Sequence, residues 1–173
     1  MSALPISPPP THCPGSHAAA PLPPVRLHAL TPAHLDAVLA VEQSVYSHPW
    51  SRGHFMDSLR TGHQAQCLML DDALVGYFIA MPGYKEVHLL NLTVAPDFQR
   101  QGWARVLLDA LVLWSRACQA EWLWLEVRVG NTRAQQIYLR HGFDRVGLRR
   151  SYYPSLRGER EDAAVMRLRL EPA

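Results

Sequence analysis

Two side chains with acid–base chemistry stand out from their surroundings. Glu126 interrupts the apolar run Trp122-Leu123-Trp124-Leu125 just before Val127, and Tyr138 follows Asn131 on a segment with helical spacing. A carboxylate on such a strand could act as a general base, and a phenol as a general acid. The residues alone leave alternatives open. Glu126 could equally pair with Arg128 or Arg150, and Tyr138 could be an amphipathic core tyrosine with its hydroxyl at the surface. A third feature is the turn Gln99-Arg100-Gln101-Gly102-Trp103-Ala104-Arg105, which joins a strand to a helix. Exposed amides and the dipole at a helix start can hold a phosphate. The turn fits neither the P-loop nor the dinucleotide glycine pattern, which disfavours a nucleoside triphosphatase or a dinucleotide dehydrogenase.

The elements that must position these groups follow from local patterns. Val25, Leu27 and Ala29 alternate with Arg26 and His28, which predicts a short half-buried strand. Thr31 and Pro32 open a helix carrying Leu35, Val38, Leu39 and Val45, and Ser51 caps a second helix with Phe55 and Leu59. Residues 66–70 and 74–81 form a hairpin around Asp71-Asp72, and residues 86–94 read as a long strand. Val106, Leu107, Ala110, Leu111, Trp114 and Cys118 recur at helical spacing. Residues 122–127 read as a central strand, Asn131 caps a short helix ended by Gly142, and two last strands lie near 144–149 and 163–170. The predicted order is β-α-α-β-β-β-α-β-α-β-β.

Composition bounds the function. Of 173 residues, 48% are hydrophobic and 18% charged, which excludes disorder of the whole chain. Eight of the 14 prolines fall in residues 1–24, a stretch without Asp, Glu, Lys or Arg, so 1–24 is expected to be a disordered tail and 25–173 a single domain. That tail lacks the basic start and unbroken apolar core of a secretory signal, and a chain beginning at Val25 is expected to fold and turn over. No run of apolar residues is long enough to span a membrane. The net charge of +2 is too mild to announce a nucleic-acid binder. Cys13, Cys67 and Cys118 are odd in number and far apart, which predicts a reducing, cytoplasmic setting with Cys67 and Cys118 as small buried hydrophobes. The nine histidines show no ligand spacing, and no metal site is expected.

Taken in order, these pieces resemble a known family. The segment from Gln99 to Ala104, preceded by Val94-Ala95-Pro96-Asp97, is similar to the coenzyme-binding motif of the GCN5-related N-acetyltransferases (GNAT), and Asn131, Ala134, Tyr138 and Gly142-Phe143 resemble that family's next motif. Within it, His48-Pro49-Trp50-Ser51, Phe98-Gln99-Arg100-Gln101-Gly102, Leu123-Trp124-Leu125-Glu126-Val127-Arg128, Arg149-Arg150-Ser151-Tyr152-Tyr153-Pro154 and Glu161-Asp162-Ala163 look like the RimI type, the ribosomal-protein-alanine N-acetyltransferases. The likeness spans about Val25 to Arg169. Trp103 departs from it, since a smaller aliphatic residue is usual there; it would cover the adenine or pack outward.

The resemblance implies an α/β (α+β) GNAT fold: a mixed, mostly antiparallel sheet splayed between strands 4 and 5, with flanking helices and acetyl-coenzyme A (acetyl-CoA) in the gap. It implies that Leu92, Thr93 and Val94 hold the pantetheine and thioester through main-chain groups, and that Arg100, Gln101, Gly102, Trp103, Ala104 and Arg105 hold the pyrophosphate. Asn131 would bind the coenzyme arm. Glu126 would be the base and Tyr138 the acid of a direct ternary-complex transfer. Tyr46, Trp50, Arg149, Tyr152 and Tyr153 would border the acceptor. The implied acceptor is a protein N-terminal α-amine, foremost the N-terminal alanine of small-subunit ribosomal protein eighteen, acted on by a monomer without metal, nucleic acid or membrane. An α-amine has a pKa about 2.5 units below that of lysine, so it is the easier amine to use at neutral pH. Two other readings remain: a family member acetylating a lysine or small-molecule amine, and a non-catalytic coenzyme-binding module.

Overall fold

A computed structural model describes residues 25–154, 158 and 160–171. The proline-rich segment 1–24, with the expectation of a tail, lies outside the described residues. Seven strands form one sheet: β1 (Val25–Ala29), β2 (Gln64–Leu70), β3 (Ala73–Pro82), β4 (Glu86–Val94), β5 (Trp122–Arg128), β6 (Asp144–Tyr153) and β7 (Glu161–Arg169). Their spatial order is β1-β2-β3-β4-β5-β7-β6, antiparallel at every junction except β4 with β5. The helices are α1 (Leu35–Val45), α2 (Arg52–Arg60), α3 (Trp103–Ala117) and α4 (Thr132–Arg140). The predicted element order and the fold class are borne out.

Two apolar layers cover the sheet. Leu35 and Val38 of α1 and Phe55 of α2 pack with Cys67, Tyr77 and Ile79 on one face. On the other, Leu107, Leu108 and Leu111 of α3 pack with Phe78, Leu123 and Leu125. The predicted α3 stripe is therefore turned. Val106 is 41% exposed, whereas Leu108 and Ser115 are buried. Ser115 tolerates that position because its Oγ donates to the Leu111 carbonyl at 2.8 Å. Cys118 corrects another expectation: it caps the end of α3 and is exposed, while Cys67 is buried. Strand β1 is an edge strand and only Val25 of it is partly covered, so the expected half-burial is not found.

The feature that opens the sheet is the pairing of β4 with β5. It runs only from Glu86↔Trp122 to Leu89↔Leu125, after which both strands continue without pairing to each other. At that point β4 carries a bulge: Ile79 pairs with Asn91 but Ala80 with Leu89, which leaves Leu90 over. An extra residue flips the alternation. Val87 and Leu89 pack in the α3 layer, and beyond the bulge Leu92 and Val94 take that side, while Asn91 and Thr93 turn to the α1 side.

Gly76 of β3 makes the close approach to this segment possible. A Cβ there would stand 2.5 Å from the Thr93 carbonyl oxygen, 3.0 Å from Leu107 Cδ1 and 3.2 Å from Val94 Cα. Gly76→Ala is expected to cost about 1–3 kcal/mol and to push β4 outward. Urea denaturation together with the KM for acetyl-CoA would check this, and an unchanged midpoint would count against it.

Candidate active site

The gap between β4 and β5 opens into a cleft of about 1140 Å³, lined by α4, the start of α3 and the end of α1. It brings together Tyr46, Leu92, Val94, Arg100, Gly102, Trp103, Ala104, Arg105, Asn131 and Tyr138 from the residues singled out in the sequence. Thr93 turns its side chain away from the cleft into the α1 layer, with Oγ1 3.0 Å from the Tyr46 hydroxyl.

Strand β4 presents amides to the gap. The Leu92 carbonyl accepts from the Tyr46 hydroxyl at 3.3 Å and the Val94 carbonyl from Gln99 Nε2 at 3.2 Å, neither of them a sheet bond. In an extended strand the N–H and C=O of one residue lie on the same side, so the amides of Leu92 and Val94 also face away from β3. Across the gap, Gln99 Oε1 accepts from Arg133 Nη1 at 3.3 Å, which joins the end of β4 to α4.

The turn into α3 is built for exposed donors. Arg100 and Gly102 both adopt left-handed conformations, φ 64° and 91°, and Gly102 is the N-cap. No atom would obstruct a Cβ at Gly102, so its backbone angle is what favours glycine there. No side chain caps this helix, and its first bond is Arg105 N–H to the Gly102 carbonyl at 2.9 Å. The amides of Gly102, Trp103 and Ala104 therefore have no intrahelical acceptor. Gln101 braces the turn instead: its Nε2 donates to the Asp97 carbonyl at 2.9 Å and its Oε1 accepts from Trp103 Nε1 at 3.2 Å. Trp103 packs partly buried against the α3 core layer while lining the cleft.

Arg133 and Arg140 add positive charge to the walls beside Arg100 and Arg105. Asp109, the one acid among the lining residues, is held by His141 Nε2 at 2.9 Å and Arg105 Nε at 3.8 Å. Arg133, Arg140 and His141 were missed in the sequence. Their signal was their spacing along α4 and its C-cap, which puts them near the turn only once the sheet has folded. Asn131 caps α4, its Oδ1 accepting from the Ala134 amide at 3.1 Å.

Of the two acid–base residues, Tyr138 lines the cleft and Glu126 does not. The Glu126 side chain is 16% exposed, and its Oε1 lies 3.2 Å from Arg149 Nη2. An arginine partner was expected as one alternative, but Arg128 and Arg150 were the ones named. Register decides which arginine is available. Glu126 and Gly147 share the β7 partner Val165, so Arg149, two residues on, rises on the face that carries Glu126. Arg128 is engaged by Glu161 Oε2 at 2.9 Å and the Pro154 carbonyl at 3.0 Å, and stacks over the Tyr153 ring at 4.5 Å. The second Glu126 oxygen has no partner among the described residues.

Tyr153 donates its hydroxyl to the Glu126 carbonyl at 3.0 Å, and Arg149 stacks over Tyr152 at 5.3 Å. Burial raises the Tyr138 pKa above its usual 10.0, and neighbouring Tyr46 and Tyr153 push it further. Trp50 stands apart from the cleft lining, its ring packed on Phe55 and its amide bonded to Glu42 at 2.9 Å. Glu42 itself was missed: a carboxylate on the buried stripe of α1 with Leu35 and Val38 was its signal.

Comparison with known proteins agrees with this geometry. The acetyltransferase (GNAT) family matches residues 35–143. The ribosomal protein bS18-alanine N-acetyltransferase of Haemophilus ducreyi is 36% identical over 135 residues, 78% of this chain and 93% of that protein. Its counterpart in Salmonella typhimurium is 35% identical over 139 residues, 80% of this chain and 93% of that one. The crystal structure of the ribosomal-protein-S18-alanine N-acetyltransferase from Escherichia coli superposes with a TM-score of 0.79 at 33% identity, covering 86% of this chain and 96% of that structure. A strand pair parted by a bulge, a glycine turn with free amides and relatives of this identity lead to one conclusion: the chain belongs to the GNAT family of acetyltransferases, which use acetyl-CoA.

Proposed function

We propose that this acetyltransferase acts on a protein N-terminal α-amine, foremost the N-terminal alanine of ribosomal protein bS18, in a direct ternary complex. Two observations carry the reading: Glu126 keeps one carboxylate oxygen without a partner among the described residues, and Tyr138 sets a partly buried phenol in the cleft wall. The relatives support the substrate, since the proteins named for that activity match this chain over nearly their whole length.

Acetyl-CoA supplies an activated acyl group and a thiol leaving group. Gly102, Trp103 and Ala104 offer amides to its pyrophosphate, with Arg100 and Arg105 beside them. Asn131 uses its Oδ1 for the α4 cap, so Nδ2 is what remains to meet the coenzyme arm. The Leu92 and Val94 amides stabilise the charge that develops on the thioester oxygen. Glu126 receives a proton from the amine, directly or through water, as the N–C bond forms. Tyr138 donates a proton to the sulfur as the C–S bond breaks. Tyr152 and Tyr153 border the acceptor chain, and Arg149 holds one Glu126 oxygen so that the other faces the amine. Among the described residues no group of three or more His, Cys, Asp or Glu could hold a metal ion, and no helix is long and apolar enough to cross a membrane.

A peptide beginning Ala-Arg and a version blocked at its α-amine but carrying a free lysine separate the readings. The first is expected to be acetylated and the second not. Acetylation of the blocked peptide alone would overturn the α-amine assignment, and coenzyme binding without turnover on any amine would favour a binding module.

A further inference from the structure

We infer that Glu42 is a positioning residue: a buried hydrogen-bond relay from its carboxylate through Asn91 and Thr93 turns the Tyr46 hydroxyl so that its oxygen faces the cleft as an acceptor for the incoming amine. This rests on the amine acetyltransferase reading above.

Glu42 is 1% exposed and forms no ion pair among the described residues. Every partner it has is a donor. The Trp50 amide reaches Oε1 at 2.9 Å, the Tyr77 hydroxyl donates to Oε2, and Asn91 Nδ2 lies 3.3 Å from both oxygens. A carboxylate only accepts, so Asn91 must turn its NH₂ towards it and its Oδ1 away. Thr93 Oγ1 donates its single proton to that Oδ1 at 2.9 Å. Only lone pairs then remain on Thr93 for Tyr46, whose hydroxyl stands 3.0 Å away and so must be the donor. Its other acceptor, the Leu92 carbonyl at 3.3 Å, also belongs to β4.

With its proton directed at β4, the Tyr46 oxygen offers lone pairs to the cleft it lines. An amine approaching the thioester carries N–H groups that need such an acceptor. Burial raises the Tyr46 pKa, which keeps that proton in place. The same carboxylate also accepts from the Trp50 amide, so one buried side chain fixes both the loop after α1 and the Tyr46 phenol.

The test uses the full chain with the Ala-Arg peptide. Tyr46→Phe and Thr93→Val are each expected to raise the KM for peptide about 3–10-fold, the worth of one neutral hydrogen bond, with the KM for acetyl-CoA within about 2-fold. The double variant should be no worse than the more affected single one, because both break the same chain. Glu42→Gln, whose Oε1 can still accept from Trp50 and Asn91, should stay within about 2-fold of native. Glu42→Met should raise the peptide KM as Thr93→Val does; if it fails to fold, the Tyr46–Thr93 cycle still decides. Additive losses in that cycle, or equal losses for the peptide and acetyl-CoA, would overturn the relay. Should the chain acetylate only the lysine peptide, the α-amine reading fails while the same cycle, run on that peptide, still judges the relay.

Discussion

Tyr138→Phe is expected to lower kcat by about 10²–10⁴-fold while leaving the acetyl-CoA dissociation constant within about 3-fold of native. The ring is kept, so its packing on Phe143 at 5.6 Å between centroids and its place in the cleft wall should survive. Only the hydroxyl that would protonate the sulfur is lost. Burial raises the native phenol's pKa above 10.0, so it stays protonated through and beyond the ordinary tyrosine range. The native kcat/KM should therefore rise with pH as the α-amine deprotonates, about pH 7.7–8.0, and show no decline below about pH 10. The phenylalanine variant should keep the rising limb at a much lower plateau. A native rate in that variant would remove Tyr138 from the mechanism.

Glu126→Gln is expected to lower kcat/KM by a similar 10²–10⁴-fold at pH 7. Glutamine keeps the shape of the side chain and can still accept from Arg149, but it cannot receive the amine proton. As the pH rises past the α-amine range, hydroxide and the already neutral amine relieve that need, so the deficit should shrink. A pH profile of the variant against native enzyme checks this. A constant deficit at every pH would mean that Glu126 acts by holding Arg149, not as a base. If both groups serve the same transfer step, as proposed, their combination should lose less than the product of the two separate losses.

How much of this was legible beforehand depends on how local each cause is. The long strand 86–94, the Ser51 and Asn131 caps and the order of every element follow from period, turn chemistry and capping within short windows, and the structure agrees with them. The α3 stripe was placed wrongly because Val106, Leu107 and Leu108 are all apolar, and only the sheet beneath chooses which of them it covers. Cys118 failed for a related reason: α3 ends at Ala117 and Cys118 is its C-cap, so the helical spacing no longer sets where it points.

The site divides in the same way. Sequence by itself determined the family, the glycine turn with its helix, and the candidate base and acid, because each is carried by residue types at short, constant spacing. Tertiary structure alone decided which arginine holds Glu126, since a strand's partner across β7 is a matter of register between distant segments. It alone placed the β4 bulge, which no residue type at Leu90 announces, and with it the turn of Leu92 and Val94 towards the cleft and of Asn91 and Thr93 towards Glu42. A buried carboxylate is read from sequence as a flaw in an apolar stripe. Its meaning depends on three donors brought from the loop after α1, from β3 and from β4, and only the folded chain assembles them.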